Sequence, residues 1–213
     1  MKINHPVLTD ELMTLELDAI FDKDRSIIEC DGGEIKQLDF THEVVETFRF
    51  YKCQISDCVF TNMDLSEMDA TDVRFVNCDF SNVDLSKASI HRVEFVNCKL
   101  LGARFLETSI GNVEFKNTVL DLASFSFDKF DKIIFTGSSL KESDFFECKL
   151  NNVVYDNCNL NDATFDQTPL KNVNMSTSSF ENLIVAIEDL KGCKVSSHQA
   201  FLLSALMGLV VVD

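Results

Sequence analysis

Proline and glycine are scarce, 2 and 7 in 213 residues. With so few chain breakers no flexible linker is expected, and the chain reads as one large domain or one elongated body. Basic residues are few as well: 19 Lys and Arg stand against 35 Asp and Glu, for a formal net charge of −16. That deficit argues against a nucleic-acid ligand or an anionic membrane surface, and for solubility or a basic partner. No apolar run reaches about 18 residues, so no transmembrane helix is expected. The opening segment MKINHPVLTDELMTLELDAIF is acidic and interrupted. It lacks the basic, apolar, small-residue order of a secretory signal, which predicts a cytoplasmic protein.

Catalytic signatures are missing too. His5, His42, His91 and His198 are scattered. No nucleophile elbow, phosphate loop, dinucleotide fingerprint or zinc motif occurs. The expectation is a protein that is not an enzyme and uses no cofactor or metal.

What is present is a period of five. Every fifth residue from Ile35 to Leu190 is apolar, 32 positions in all, and these positions hold 14 of the 19 phenylalanines. Neither a helix nor a strand has that period, so the pattern predicts a solenoid whose working surface is its outside. Each unit reads small, polar, large apolar, polar, polar. Two inward sites around one outward site make a short half-buried strand. The polar pair is a corner, rich in asparagine: Asn62, Asn77, Asn82, Asn97, Asn112, Asn117, Asn152, Asn157 and Asn172. Asparagine tolerates tight turns and bonds neighbouring backbone.

The frame also accounts for the cysteines. Cys53, Cys58, Cys78, Cys98, Cys148, Cys158 and Cys193 all fall two residues before a multiple of five. That is the small inward site, where a free thiol packs as a small hydrophobe, and the spacing matches no zinc signature. Cys58, Cys78 and Cys98 are expected to form one inward column. The frame has blemishes. Leu38, Phe48, Met63 and Met68 are large where small residues are expected, and Glu43 and Asp128 are charged at inward sites. At Asp128, either the carboxylate bonds corner amides or the coil bulges.

Segments such as VDLSK, CNLND, ATFDQ and CDFSN resemble the A(D/N)LXX unit of the pentapeptide repeat family. The resemblance runs over about residues 28 to 192. It implies an all-β solenoid, a right-handed quadrilateral β-helix with four units, or 20 residues, per coil. Phe75, Phe95, Phe115, Phe135 and Tyr155 would then stack on one side, and Phe105, Phe125, Phe145 and Phe165 on another. About eight coils at ~4.8 Å each make a rod of roughly 40 Å.

Three regions are expected: a cap over 1–27, the β-helix over 28–193, and a dimerisation tail over 194–213. Thr9 is read as capping a helix that runs to about Phe21 and covers the first coil. At the other end, Ser196 and Gln199 have capping-box spacing before AFLLSALM, and Gly208 is a natural stop. Leu209 to Val212 read as a strand. The tail helix is apolar nearly all round, which predicts a homodimer through Phe201, Leu202, Leu203 and Leu206, with a purely intramolecular cap as the alternative. This tail resembles that of the Qnr-type quinolone-resistance subgroup, whose members dimerise end to end.

Over residues 29 to 193 there are 28 acidic and 15 basic residues. The rod thus carries about one net negative charge per 3 Å, against one per ~1.7 Å in B-DNA. The Qnr resemblance implies a mimic of duplex DNA that engages a type II topoisomerase, DNA gyrase or topoisomerase IV, and blunts quinolone action. Many members of that subgroup carry projecting loops, and this unbroken frame has none. The acidic stretch Asp57, Asp64, Glu67, Asp69, Asp72, Asp79 and Asp84, with Arg74 as its one basic residue, is the expected contact face. The competing expectation is a scaffold for an unrelated protein, which would use an outward apolar patch of Leu101, Leu106, Leu122, Phe127 and Phe146. A local bulge that buries Phe127 would remove that patch.

Overall fold

The computed structural model describes residues 1–9, 12–21, 24, 26–209 and 212. The period of five becomes a right-handed quadrilateral β-solenoid of about 8 turns. Strands pair in parallel at a spacing of 20 residues, so Phe75 faces Phe95, Phe95 faces Phe115, Phe115 faces Phe135 and Phe135 faces Tyr155. The eight-residue strands Asp69–Val76, Ser89–Val96, Ser109–Lys116, Lys129–Thr136 and Lys149–Asp156 each run along two adjacent sides. Short strands such as Arg104–Leu106, Ser124–Ser126 and Asp144–Phe146 form a second sheet on the next side. Isolated bridges such as Asp79↔Lys99 close the fourth.

The corners turn through left-handed backbone. All nine asparagines named above adopt φ between 52° and 68° there. An L-residue pays a steric penalty in that region, and asparagine is among the few that tolerate it. Backbone N–H groups at corners bond one coil onward, as Asn62 N–H does to the Ser81 carbonyl at 2.9 Å.

Inside, the rings stack as the 20-residue coil requires. Centroids along Phe75, Phe95, Phe115, Phe135 and Tyr155 lie 4.9 to 5.0 Å apart, near parallel. Phe105, Phe125, Phe145 and Phe165 repeat the arrangement on a second side at 4.6 to 4.8 Å. Phe40, Phe60 and Phe80 form a third ladder at 4.7 Å. The coil holds large residues at its start: Phe48 and Met68 are buried there, and Phe48 meets Phe40 and Phe60 edge-on.

The small inward sites have a hydrogen-bonding role beyond packing. Cys78, Cys98, Thr108, Ser138, Cys148, Cys158, Thr168 and Ser178 each donate to the carbonyl 23 residues earlier. A small side chain with one donor fills the space and satisfies a buried acceptor at once. Cys58, Cys78 and Cys98 are free, buried and in one column. Burial pushes the thiols of Cys148 and Cys158 up to about 12 and about 11, which keeps them protonated.

The N-terminus departs from the expected helix. The described residues there show only a single 3-10 turn, Leu17–Ala19. Thr14 pairs in parallel with Glu34, Leu15 N–H bonds the Glu34 carbonyl at 2.7 Å, and Ile20 is buried. The coil register therefore extends backward to Leu15, whereas Phe21 pairs antiparallel with Ile28 and the Ile20 carbonyl accepts from Glu29 N–H at 2.7 Å. An exposed strand edge offers backbone bonds that a surface helix would leave unused. Residues before it run as an arm along the rod. Val7 N–H bonds Asp72 at 3.1 Å, His5 Nδ1 lies 2.9 Å from Glu94, and Asn4 N–H bonds Asn112 at 3.0 Å.

At the far end the capping box forms as expected, and helix α1 spans Ser197–Ser204. Gln199 also donates to the carbonyls of Met175 and Ser178 at 2.8 and 2.7 Å, which ties the helix to the last coil. Gly208 ends the helical segment at φ 70°. Of the strand expected over Leu209 to Val212, Val210 and Val211 lie outside the described residues, and Leu209 and Val212 are in no strand. No helix among the described residues is long and apolar enough to cross a membrane.

Candidate partner-binding surface

Each side of the rod carries the outward neighbours of its inner ladder and the corner that follows. The Phe60 side and the adjoining Phe105 side together hold 14 acidic and 4 basic residues over 29–193. The next side, built on Ala70, Ile90 and Ile110, holds 6 acidic and 8 basic. The net charge is therefore not spread round the rod. It is concentrated on two adjacent sides.

The seven acids Asp57, Asp64, Glu67, Asp69, Asp72, Asp79 and Asp84 do not share one side. Asp64 and Asp84 stack in one column of the Phe105 side, as their spacing requires. Asp79 lies on the Phe60 side, paired with Val59 and Lys99. Asp69 lies in the Ser89 column, and Asp57, Glu67 and Asp72 occupy three different corners.

Three of the seven are neutralised from the next coil. Arg92 grips Asp72 with two bonds of 2.7 Å and holds its carboxyl below the usual range. Lys99 stands 3.6 Å from Asp79, and Arg104 pairs with Asp84. Burial works against charge on both acids, yet Ser81 with Lys99, and Arg104 with Ser86, keep them low. Asp69 accepts from the Tyr51 hydroxyl at 2.8 Å. Asp72, Asp79 and Asp84 looked unopposed in sequence because their cations lie 20 residues on.

Farther along, the acids stand without cations. Among the described residues no ion pair reaches Glu107, Glu142, Asp144, Glu147, Asp162 or Asp166. Burial, and then the neighbouring Asp166, raise the carboxyl of Asp144.

The apolar patch lies on the same flank. Leu122 is 56% exposed and Phe127 is 46% exposed, while Leu101, Leu106 and Phe146 are half-buried. No bulge folds Phe127 inward. Its ring meets Phe146 edge-on at 5.5 Å. Behind it, Asp128 is fully buried, and its Oδ1 accepts from Thr108 N–H at 2.6 Å. The coil keeps its register there, so the bulge does not occur, and the Asp128 carboxyl bonds the backbone amide of Thr108 at the inward site one coil earlier.

At the tail, Phe201 is 52% exposed and Leu206 also faces outward, while Leu202 and Leu203 pack partly on the last coil. Among the described residues one cluster has ligand chemistry: His5, Glu94 and Glu114 offer atoms within 4.8 Å of one another. Arg74 already holds the second oxygen of Glu94 at 2.7 Å, and Lys116 lines the same depression. Glu94 therefore links Arg74 of the rod to His5 of the arm.

No curated protein sequence matches the chain. Among solved structures it is similar to a trypsin-treated form of QnrB1, a plasmid-mediated fluoroquinolone resistance protein, at 21% identity and a TM-score of 0.49, over 87% of this chain and 90% of that one. A second trypsin-treated form of QnrB1 aligns at 16% identity and a TM-score of 0.40, over 98% and 99%. HetL, a pentapeptide repeat protein involved in heterocyst differentiation regulation in the cyanobacterium Nostoc, aligns at 14% identity and a TM-score of 0.30, over 78% and 86%. Two family models match the chain itself. One, described as a pentapeptide repeat region, matches residues 68–145, and the other, pentapeptide repeats in 8 copies, matches residues 138–176. Together they span residues 68–176, within the coils described above, and the chain belongs to the pentapeptide repeat family.

Proposed function

We propose that this protein is a non-catalytic acidic rod that occupies the duplex-DNA channel of a type II topoisomerase, DNA gyrase or topoisomerase IV, and so blunts quinolone action. The observation that supports this reading is the segregation of charge. Two adjacent sides with 14 acidic and 4 basic residues present a negative stripe along the axis, while the basic residues gather on another side. A basic saddle that holds DNA would release counterions on meeting such a stripe, as it does with phosphates. The unpaired acids of the later coils make the strongest part of the stripe, ahead of the paired stretch from Asp57 to Asp84.

Competition with labelled duplex DNA for purified gyrase tests this. The wild-type rod should displace DNA at low salt and lose that ability steeply as salt rises. Changing Glu142, Asp144, Glu147 and Asp166 to the corresponding amides removes four charges without touching the inward sites. It should weaken binding by about tenfold or more. The same change at Asp64, Asp69, Asp72 and Asp84 should weaken it less, because two of those carboxylates already face arginines. A rod that never competes at low salt, or that ignores both salt and neutralisation, would sink the proposal.

We also propose that two rods join end to end through the tail helix. Exposed Phe201 and Leu206 are apolar surface beyond what the last coil covers. Phe201→Glu with Leu206→Glu leaves the Gln199 anchor intact and should convert a dimer to a monomer in sedimentation. Wild-type protein that sediments as a monomer at micromolar concentration would refute the interface.

A further inference from the structure

Of the 24 described non-glycine residues with positive φ, Leu122 and Phe127 alone are aliphatic or aromatic. The others are Asn, Asp, Glu, Gln, Lys or Arg. The left-handed corner disfavours side chains in general and bulky ones most, and asparagine would relieve it. Both exceptions are in consecutive corners of one coil, and neither is buried in its own rod. The very next residue, Asp128, breaks a second rule: its Oδ2 is buried with no hydrogen-bond partner. Local rules of folding are broken together in one place, which is the pattern expected where a surface serves binding.

We infer that this corner is a docking site for an amphipathic basic helix of a partner protein, with Leu122 and Phe127 as apolar anchors and Asp144 and Asp166 as acceptors for its lysines or arginines. The chemistry follows from the surroundings. Phe146 packs on Phe127, and Leu106 and Phe146 flank Ser126 in one column, so the anchors sit on an apolar bed. Asp144 pairs with Thr164, two residues before Asp166 on the same side of the rod. Burial and then Asp166 raise the Asp144 carboxyl, and among the described residues no ion pair of this chain reaches either acid. A helix is favoured over a strand because the backbone on this side is already bonded coil to coil. Phe127 N–H goes to the Phe146 carbonyl at 3.0 Å and Leu122 N–H to the Lys141 carbonyl at 2.9 Å. The ladder here is closed to an added strand, whereas a helix satisfies its own backbone and offers side chains alone.

The docking corner does not depend on the topoisomerase reading, and one experiment separates the two. The probe is a labelled synthetic peptide of about 18 residues, leucine and lysine in helical periodicity, with a scrambled peptide of equal composition beside it. Anisotropy is read against full-length wild type, Leu122→Asn with Phe127→Asn, and Asp144→Asn with Asp166→Asn. Asparagine suits both corners, so the first variant should melt no lower than wild type. The amphipathic peptide should bind wild type about tenfold or more tighter than either variant. Part of the wild-type binding should survive ~0.5 M salt, where charge is screened. The scrambled peptide should bind all three weakly, with no loss at the corner variant. Equal binding to wild type and to the corner variant would overturn the site. So would equal affinity for the two peptides, which would leave a purely ionic surface. Loss of gyrase competition in the corner variant is not required for either outcome.

Discussion

Replacing Asp128 with asparagine should stabilise the protein at pH 8 and hardly at all at pH 4. Asp128 is fully buried, and burial pushes its carboxyl up to about 7 despite the Thr108 amide that it accepts. The folded state thus holds a proton that the unfolded chain releases near the ordinary aspartate value. Below that value both states are protonated and the group costs nothing. As pH climbs from about 4 to about 7 the unfolded state gains by ionising, and stability falls until the folded group ionises too. Across that window the loss amounts to roughly 4 kcal/mol. Urea midpoints of wild type and Asp128→Asn across that range should diverge in this sense. Wild type also carries acids with lowered values, Asp72, Asp79 and Asp84 among them, which pull the other way as pH falls. The difference between the two proteins is therefore the quantity to read. Parallel curves would show that Asp128 is not ionised on this schedule. Asp128→Thr should gain at least as much, because Thr108 and Thr168 show that a hydroxyl in this column donates to the carbonyl 23 residues earlier. An ionised carboxylate has no proton to donate.

Phe115→Ala should lose about 3–5 kcal/mol. The ring is fully buried between Phe95 and Phe135, at centroid distances of 5.0 and 4.9 Å. Each coil is held by its neighbours, so a gap in one ladder weakens two interfaces at once. Phe201→Ala, by contrast, removes a half-exposed ring and should change the monomer's stability little. Urea unfolding of both variants measures the contrast. A loss below about 1 kcal/mol for Phe115→Ala would mean that the coils relax into the space.

The inward half of this structure was legible from the chain alone. Given the 20-residue coil that the resemblance to the pentapeptide repeat family implied, Phe95, Phe115 and Phe135 could be placed one above another before any coordinate, because a coil of constant length turns sequence spacing into spatial stacking. Asn97 and Asn117 could be set at corners for the same reason. The cysteines were recognised as small inward residues, but their donor role depends on the carbonyl of a residue 23 positions back, which no local pattern displays.

The outside is a different matter. Asp72 and Asp84 look alike in sequence to Asp144 and Asp166. The first two meet Arg92 and Arg104 across the coil spacing, and the second two meet no cation among the described residues. Phe127 could be exposed or folded into a bulge, and only the backbone path through the corner, at φ 59°, decided that it faces outward. The segment before Ile20 has helical spacing of its apolar residues, yet it lies along the first coil because that coil's open edge supplies backbone partners. A repeating frame is written into the order of residues, since each unit obeys the same local sterics and burial. Which charges are cancelled, which side is left acidic and which apolar residues remain uncovered are settled between coils, where residues distant in sequence come within bonding range.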